Sequence, residues 1–438
     1  MAVVMEGPGY GGNMTTIPTS QVEYVTEACD NIEAWDPAVD EAECIDRIRA
    51  LAIGKSRFEA AMARETADLA RRRAQAEADQ GVVEADRGKG LGAEIGLARK
   101  ESPSRGARHL NLARALTTDL PHTFDALREG RLSEEHAQAV VQETSWLSSE
   151  DRREVDVMLV DRFGTLGPRK LRAEARAHAQ RLDAAGAVEH INRAVGSRRV
   201  GVRPAPNGMA YLTATLPTQQ AVGVYSSLHR DASTMVGTGE TEDRDGQPRT
   251  RDQIMADLLV ERATGQQTAK AVPAEVQLVM TPETLCGWDD TPAWLSGHGP
   301  IPAPVVRQWL ADETMVAFLR RVFTEPKTGQ LVSLESTARA FPLGLRRKIL
   351  LRDDICRTPY CEAPIKEVDH IHPVRQGGTT RWDNASGLCV ACNQTKENRG
   401  WEHRGNGQFL RVTTPTGHHY TVATPELLPG RDIDPEPP

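Results

Sequence analysis

Four cysteines near the C-terminus are the first residues whose types and spacing imply a chemistry. Cys356 and Cys361 form Cys-x4-Cys, Cys389 and Cys392 form Cys-x2-Cys, and 27 residues separate the pairs. Thiolates on two tight turns can converge on one tetrahedral zinc, and a four-cysteine set leaves no open position, so such a site is structural. A metal of that kind supplies folding energy to a segment too small to build its own core. Cys29, Cys44 and Cys286 have no partner at ligand spacing. An odd total of 7 with no export signal argues against a disulfide framework. Between the zinc pairs runs Val368-Asp369-His370-Ile371-His372-Pro373. Asn384 follows His370 by 14 positions, and Asn393 comes 9 later, directly after Cys392. A carboxylate, an imidazole and two amides thus share one stapled segment.

The elements that must hold these residues belong to a chain of 438 residues, enough for two or three domains. Hydrophobic residues at 39% and charged residues at 26% are ordinary for a soluble globular protein. Few aromatics and frequent Ala-Arg-Glu stretches favour helix. No apolar run approaches the roughly 18 residues of a membrane span. The start, Met1-Ala-Val-Val-Met-Glu-Gly-Pro, lacks a basic n-region, so no signal peptide and a cytoplasmic location are expected. The net charge of −8 argues against nucleic acid for the chain as a whole. It is unevenly spread: from Arg339 to Arg411 thirteen Lys/Arg stand against eight Asp/Glu. A basic module on an acidic body is the asymmetry of a part that faces phosphates. A solvated surface with chance clustering is the plain alternative.

Residues 1–25 read as a disordered N-terminus and 425–438 as a Pro-rich disordered tail. Residues 26–330 read as a mostly helical region, mainly α with some β (α+β). Helical spacing is visible at Phe58, Ala61, Met62, Glu65 and Leu69, and again over a block from about Leu110 to Leu182. Within that block Ser148-Ser149-Glu150-Asp151 resembles an acidic capping box, ahead of Val155, Met158, Leu159 and Phe163 on one face. The glycine-bearing stretch 86–108 reads as a flexible segment and 237–250 as a surface loop. Alternation at Val200 and Val202 and from Met209 to Leu216, around Pro206-Asn207-Gly208, predicts a hairpin. A further strand is expected at 276–280, a turn at Pro326-Lys327-Thr328-Gly329, and a basic helix over Leu345 to Arg352. His109, His136, His178, His418 and His419 have no companion at ligand spacing and read as surface or packing residues.

From roughly Arg346 to Trp401 the chain closely resembles the HNH endonuclease family, in its zinc-stapled, McrA-like branch. The likeness is carried by Asp369-His370-Ile371-His372-Pro373, Gly377-Gly378, Asp383-Asn384 and the run Leu388 to Lys396. It implies a small ββα-metal (His-Me finger) domain, placed here at 339–411. In that domain Asp369 sits on the first strand with its side chain opposite His370, Asn393 starts the helix, and Asn384 pins the loop that aims the base. Elementary chemistry agrees: a neutral imidazole is the natural base near pH 7, so His370 would take a proton from water. Hard oxygen ligands from Asp369 and Asn393 suit Mg²⁺ or Mn²⁺. The implied activity is hydrolysis of DNA phosphodiesters, with Zn²⁺ structural at Cys356, Cys361, Cys389 and Cys392. The family position at Asn393 is often histidine, which leaves metal choice and rate open. Lys396, at i+3 from Asn393, either touches a flanking phosphate or is a solvated helix surface. Arg375 and His372 are further candidates for phosphate contact, His372 alternatively serving local structure. The rival reading is a non-catalytic zinc-containing nucleic-acid-binding protein.

The region from about Asn111 to Leu310 resembles an actinobacterial domain of unknown function that commonly precedes HNH modules. Leu127 to Ser133, Arg249 to Leu259 and Gly299-Pro300-Ile301-Pro302 carry that likeness. It implies an actinobacterial chain and brings no mechanism. The acidity of this part makes it a poor stand-alone DNA clamp. Scaffold, dimerisation and target choice all remain open roles for it.

Overall fold

The computed structural model describes residues 3–6, 20–243, 246–266, 278–311 and 340–428. The turn expected at 326–329, residues 276–277 of an expected strand, and 429–438 of the tail lie outside the described residues. The chain opens with β1 (Val3–Glu6), α1 (Ser20–Glu33), α2 (Glu41–Asp79) and α3 (Leu91–Ala98). Next come α4 (Pro103–Thr118), α5 (Pro121–Arg128), α6 (Glu134–Thr144), α7 (Ser149–Met158), α8 (Pro168–Leu182) and α9 (Ala184–Val195). A hairpin of β2 (Arg199–Pro204) and β3 (Ala210–Thr215) leads to α10 (Thr218–Thr238) and α11 (Arg251–Thr264). A small unit follows, with β4 (Leu278–Val279), α12 (Pro282–Cys286), β5 (Ala293–Leu295), β6 (Gly299–Ile301) and α13 (Ala303–Ala311). The C-terminal module holds α14 (Leu343–Asp353), β7 (Glu367–His370), β8 (Ala385–Leu388), α15 (Val390–Lys396), β9 (Glu402–Gly405), β10 (Phe409–Thr413) and β11 (His419–Ala423).

Helix α2 and helices α4 to α8 enclose the main core. Leu116, Leu120, Leu127, Leu159 and Leu171 are buried there with Ala113, Ala126, Ala137, Ala175 and Ala179. Small alanines between leucines let the helices approach closely and fill the space between them. On α2 the buried stripe is Ala60, Ala63 and Ala70, while Phe58 and Met62 face outwards. Ser148 caps α7 by accepting from the Asp151 amide at 3.1 Å, and Val155, Leu159 and Phe163 are buried as their spacing implies. The hairpin pairs Arg199 with Thr215 through Pro204 with Ala210. Asn207 (φ 61°) and Gly208 (φ 70°) supply the two positive-φ positions that its tight turn needs. Gly239 ends α10 in the left-handed region, and the loop after it closes at Thr250, which caps α11.

Stretch 86–108 departs from the flexible segment expected of it. Helices α3 and α4 occupy most of it, and its glycines serve close packing. A Cβ on Gly106 would lie 2.0 Å from the Gly92 carbonyl oxygen and 2.4 Å from the Gly96 nitrogen. A Cβ on Gly92 would lie 2.9 Å from the Ala107 Cα. The two helices touch backbone to backbone, which no other residue type permits here.

In the C-terminal module β7 and β8 pair antiparallel, Asp369 opposite Ser386 and His370 opposite Ala385. Helix α14 packs behind them. Its last turn buries Arg352 and Asp353: Arg352 binds Asp353 through two nitrogens and donates to the carbonyls of Trp382 and Ala385, while Asp353 accepts from the Gly387 amide. The module continues past 411 into an antiparallel sheet ordered β1-β11-β10-β9. Its β1 arises inside the stretch expected to be disordered, pairing Val3 with Val422. Likewise α1 begins at Ser20. Leu410, Val412, Tyr420 and Val422 alternate inwards at period two and meet Ala93, Leu97, Ile371 and Trp401.

Candidate functional site

The turn after α14 carries Cys356 and Cys361, and the end of β8 leads through Cys389 into the first turn of α15, which holds Cys392. The four sulfurs all lie within 4.8 Å of one another, and all four cysteines are buried. Cys361 Sγ is 3.7 Å from Cys389 Sγ and 3.5 Å from Cys392 Sγ. Zinc–sulfur bonds of ~2.3 Å in a tetrahedron would separate sulfurs by about 3.8 Å, so this packing fits the ion. The thiols crowd one another: hydrogen bonds from Cys356, Cys361 and Cys392 hold the Cys389 pKa well down, while Cys356, Cys361 and Cys389 push that of Cys392 well up. Only a shared cation would allow all four to ionise together. The Cys392 amide reaches Cys389 Sγ at 3.4 Å, fixing the second turn on its sulfur. The four-cysteine cluster expected of this fold class is therefore present at the expected residues.

One face of β7 looks onto α15. Glu367 and Asp369, two positions apart, point to the same side of the strand. Asn393 and Lys396, three apart, point to the same side of the helix. These four side chains meet. Asn393 Nδ2 donates to Glu367 Oε2 at 2.5 Å. Lys396 Nζ is paired with the Asp369 carboxylate and donates to the His370 carbonyl at 2.7 Å. Burial alone would raise the Asp369 pKa, but the hydrogen bond and charge of Lys396 outweigh it and hold the carboxyl below its usual range. Asn393 Oδ1 is buried and, among the described residues, has no hydrogen-bond partner. Asn393 stands one turn inside α15, which starts at Val390, rather than at its first residue. Lys396 is 8% exposed, so it is neither a solvated surface residue nor placed at the outside of the helix.

His370 ends β7, and its ring is buried against Phe341, with centroids 4.5 Å apart. Its Nε2 lies 2.9 Å from Thr380 Oγ1, and its Nδ1 lies 3.8 Å from Asp369 Oδ1. The loop between the strands is tied down by Asn384. Its Oδ1 accepts from the His372 amide at 2.7 Å, and its Nδ2 donates to the carbonyls of His372 at 3.0 Å and Thr379 at 2.8 Å. Gly378 fits inside that knot, where a Cβ would meet the His372 carbonyl oxygen at 1.8 Å. His372 is exposed, with Nε2 2.8 Å from the Gln376 carbonyl oxygen. Arg375 is exposed and pairs with Glu397 at 2.8 Å. Behind the Lys396–Asp369 pair, burial pushes the His403 imidazole down to about 3, and the charge of Lys396 adds to this.

Sequence reasoning passed over Glu367, Thr380 and Phe341. Glu367 had a usable signal, since strand alternation puts it beside Asp369. Thr380 and Phe341 reach His370 through loop and chain geometry that carries no local pattern. His109 is a packing residue, as expected: its ring bridges Glu101 and Glu134, each at 2.9 Å, joining α4 to α6.

Two family models match the chain. Residues 52–353 match a domain of unknown function, DUF222, and residues 356–399 match the HNH endonuclease. The first match starts inside α2, well before Asn111, and runs to the end of α14. No curated protein and no solved structure matches the chain.

Proposed function

The chain belongs to the DUF222 family and carries an HNH endonuclease domain behind it, and on that premise we propose a metal-dependent endonuclease that hydrolyses DNA phosphodiesters. The observation that carries the reading is the shared face of β7 and α15. That face carries an Asp369 carboxylate held below its usual pKa by Lys396 and an Asn393 whose buried Oδ1 meets no donor among the described residues, and His370 Nδ1 lies 3.8 Å from Asp369 Oδ1. An oxygen left without a hydrogen is what a cation ligand looks like before the cation arrives, and two hard oxygens suit Mg²⁺ or Mn²⁺. When bound, such an ion supplies Lewis acidity at the phosphoryl oxygens and stabilises the departing sugar oxygen.

The chain's own residues do the rest. In the tautomer whose Nε2–H donates to Thr380 Oγ1, 2.9 Å away, the ring lone pair falls on Nδ1, the nitrogen on the Asp369 side. His370 then takes a proton from water as the water oxygen bonds to phosphorus and the bond to the sugar oxygen breaks. Asn384 fixes the loop from His372 to Thr379 and so the position of Thr380, which holds the ring. Arg375 and His372, both exposed on that loop, lie where flanking phosphates would be met. Zinc at the four cysteines keeps α15 against β8.

One observation favours a second reading. The Lys396 ammonium already neutralises Asp369, as it would in a zinc-containing module that binds nucleic acid without cutting it. Plasmid nicking by purified protein across a metal series separates the two. The nuclease reading expects cleavage with Mg²⁺ or Mn²⁺ that falls about 10²- to 10⁴-fold in His370→Ala, the usual worth of a general base, with zinc content unchanged. Binding without cleavage by any divalent ion, indifferent to His370→Ala, establishes the second.

A further inference from the structure

Resting on the Asp369–Asn393 reading, we propose that Glu367 is a positioning residue that decides which atom of the Asn393 amide faces the metal. A side-chain amide is ambivalent: a half-turn about its last bond exchanges an acceptor oxygen for a donor NH2 group. In one orientation Asn393 is a cation ligand; in the other it presents hydrogens and repels the cation. The α15 backbone cannot choose between them, because both orientations have the same shape.

The neighbours of the amide make the choice. Glu367 Oε2 lies 2.5 Å from Asn393 Nδ2. A carboxylate oxygen accepts and does not donate, so the nitrogen is held on its side. The oxygen is thereby turned the other way, where it is buried and, among the described residues, meets no donor. Turning the amide over would set oxygen against oxygen at Glu367, losing a charge-assisted hydrogen bond in a half-buried place. Glu367 and Asp369 lie on the same face of β7, so one strand supplies both a metal ligand and the group that orients the other ligand. The arrangement follows the general rule that groups hydrogen-bonded to ligands set ligand orientation and are worth about 10- to 100-fold in metal affinity.

The test is Mn²⁺ binding by calorimetry on the zinc-loaded full chain, a readout independent of cleavage. Glu367→Met removes the acceptor at similar volume and is expected to weaken Mn²⁺ by about 10- to 100-fold. Glu367→Gln offers an amide that donates as readily as it accepts, and a smaller loss is expected. Asn393→Asp supplies the decisive background, since its two oxygens are equivalent and need no orienting. There Glu367→Met should leave Mn²⁺ affinity nearly unchanged, or tighten it by removing a neighbouring like charge. Unchanged affinity of Glu367→Met in the Asn393 background overturns the proposal. So does an equal loss in both backgrounds, which would make Glu367 a direct ligand or a packing residue. Asp369→Ala separates this from failure of the parent reading: if that variant binds Mn²⁺ like the wild type, or the wild type binds none, the site itself is refuted and the proposal with it. Zinc content and far-UV circular dichroism of every variant confirm that each one folds.

Discussion

Among the described residues, the hydrogen-bond partners of the polar side chains around His370 separate positioning from chemistry. Among the described residues Asn384 hydrogen-bonds only to backbone, to His372 twice and Thr379 once. Asn384→Ala is therefore expected to lower kcat by loosening the loop that carries Thr380, while zinc content stays at wild-type level; an unchanged kcat would deny it that role. Its place in that loop was legible because Asp383-Asn384 lies at a fixed distance from His370 in a recognisable motif. The burial of Lys396 was not legible. Spacing places it beside Asn393 on one helix face, but only the strand packed against that face decides whether the face is wet. Asp369 supplies the missing counter-charge, and a lysine ammonium is buried when it finds one.

At the scale of elements, two histidines give opposite pH dependences. His109 bridges α4 and α6 through Glu101 and Glu134, and the Glu134 hydrogen bond is the largest cause raising its pKa. A raised folded pKa means stability present below the unfolded value of about 6.5 and lost as pH rises through the folded value. His403 is depressed to about 3 by burial, so its contribution is present above about 6.5 and lost as pH falls towards 3. Thermal unfolding across pH 4 to 8 should show His109→Gln flattening the alkaline side and His403→Phe flattening the acid side. A wild-type profile in either variant would contradict the assignment. The packing of α3 on α4 makes a second prediction. Gly106→Ala should cost about 1–3 kcal/mol by overpacking a backbone contact, read as a lowered Tm. The same glycines hid this contact in the sequence: Gly92, Gly96 and Gly106 give the composition of a loop, and nothing local distinguishes a glycine chosen for freedom from one chosen for closeness. By contrast, the β2–β3 hairpin was legible, because Asn207-Gly208 demands a conformation that few residue pairs adopt.

Across the whole molecule the helical region and the HNH module share a core. Ala93 and Leu97 of α3 close over Trp401, Leu410, Val412, Tyr420 and Val422 of the C-terminal sheet. Between them the buried Glu94 carboxylate accepts from the amide and hydroxyl of Thr416 at 3.1 and 2.5 Å and pairs with Arg73 of α2 at 2.7 Å. A charge so enclosed depends on all its partners, and removing one leaves the rest buried and unpaired. Such contacts join residues more than 300 positions apart, a separation at which neither periodicity nor motif spacing carries information. They also show what the helical region does for the C-terminal module's stability: it covers an apolar face of that module's sheet. The module cut out as residues 340–428 should consequently bind zinc and still melt well below the full chain, exposing the face that holds Leu410 and Val422. Restoring residues 41–118, which supply Arg73, Ala93, Glu94 and Leu97, should recover the full-chain Tm of the module, and Glu94→Ala should abolish that recovery. Equal melting of the module with and without its helical partner would mean that the shared core contributes no stability.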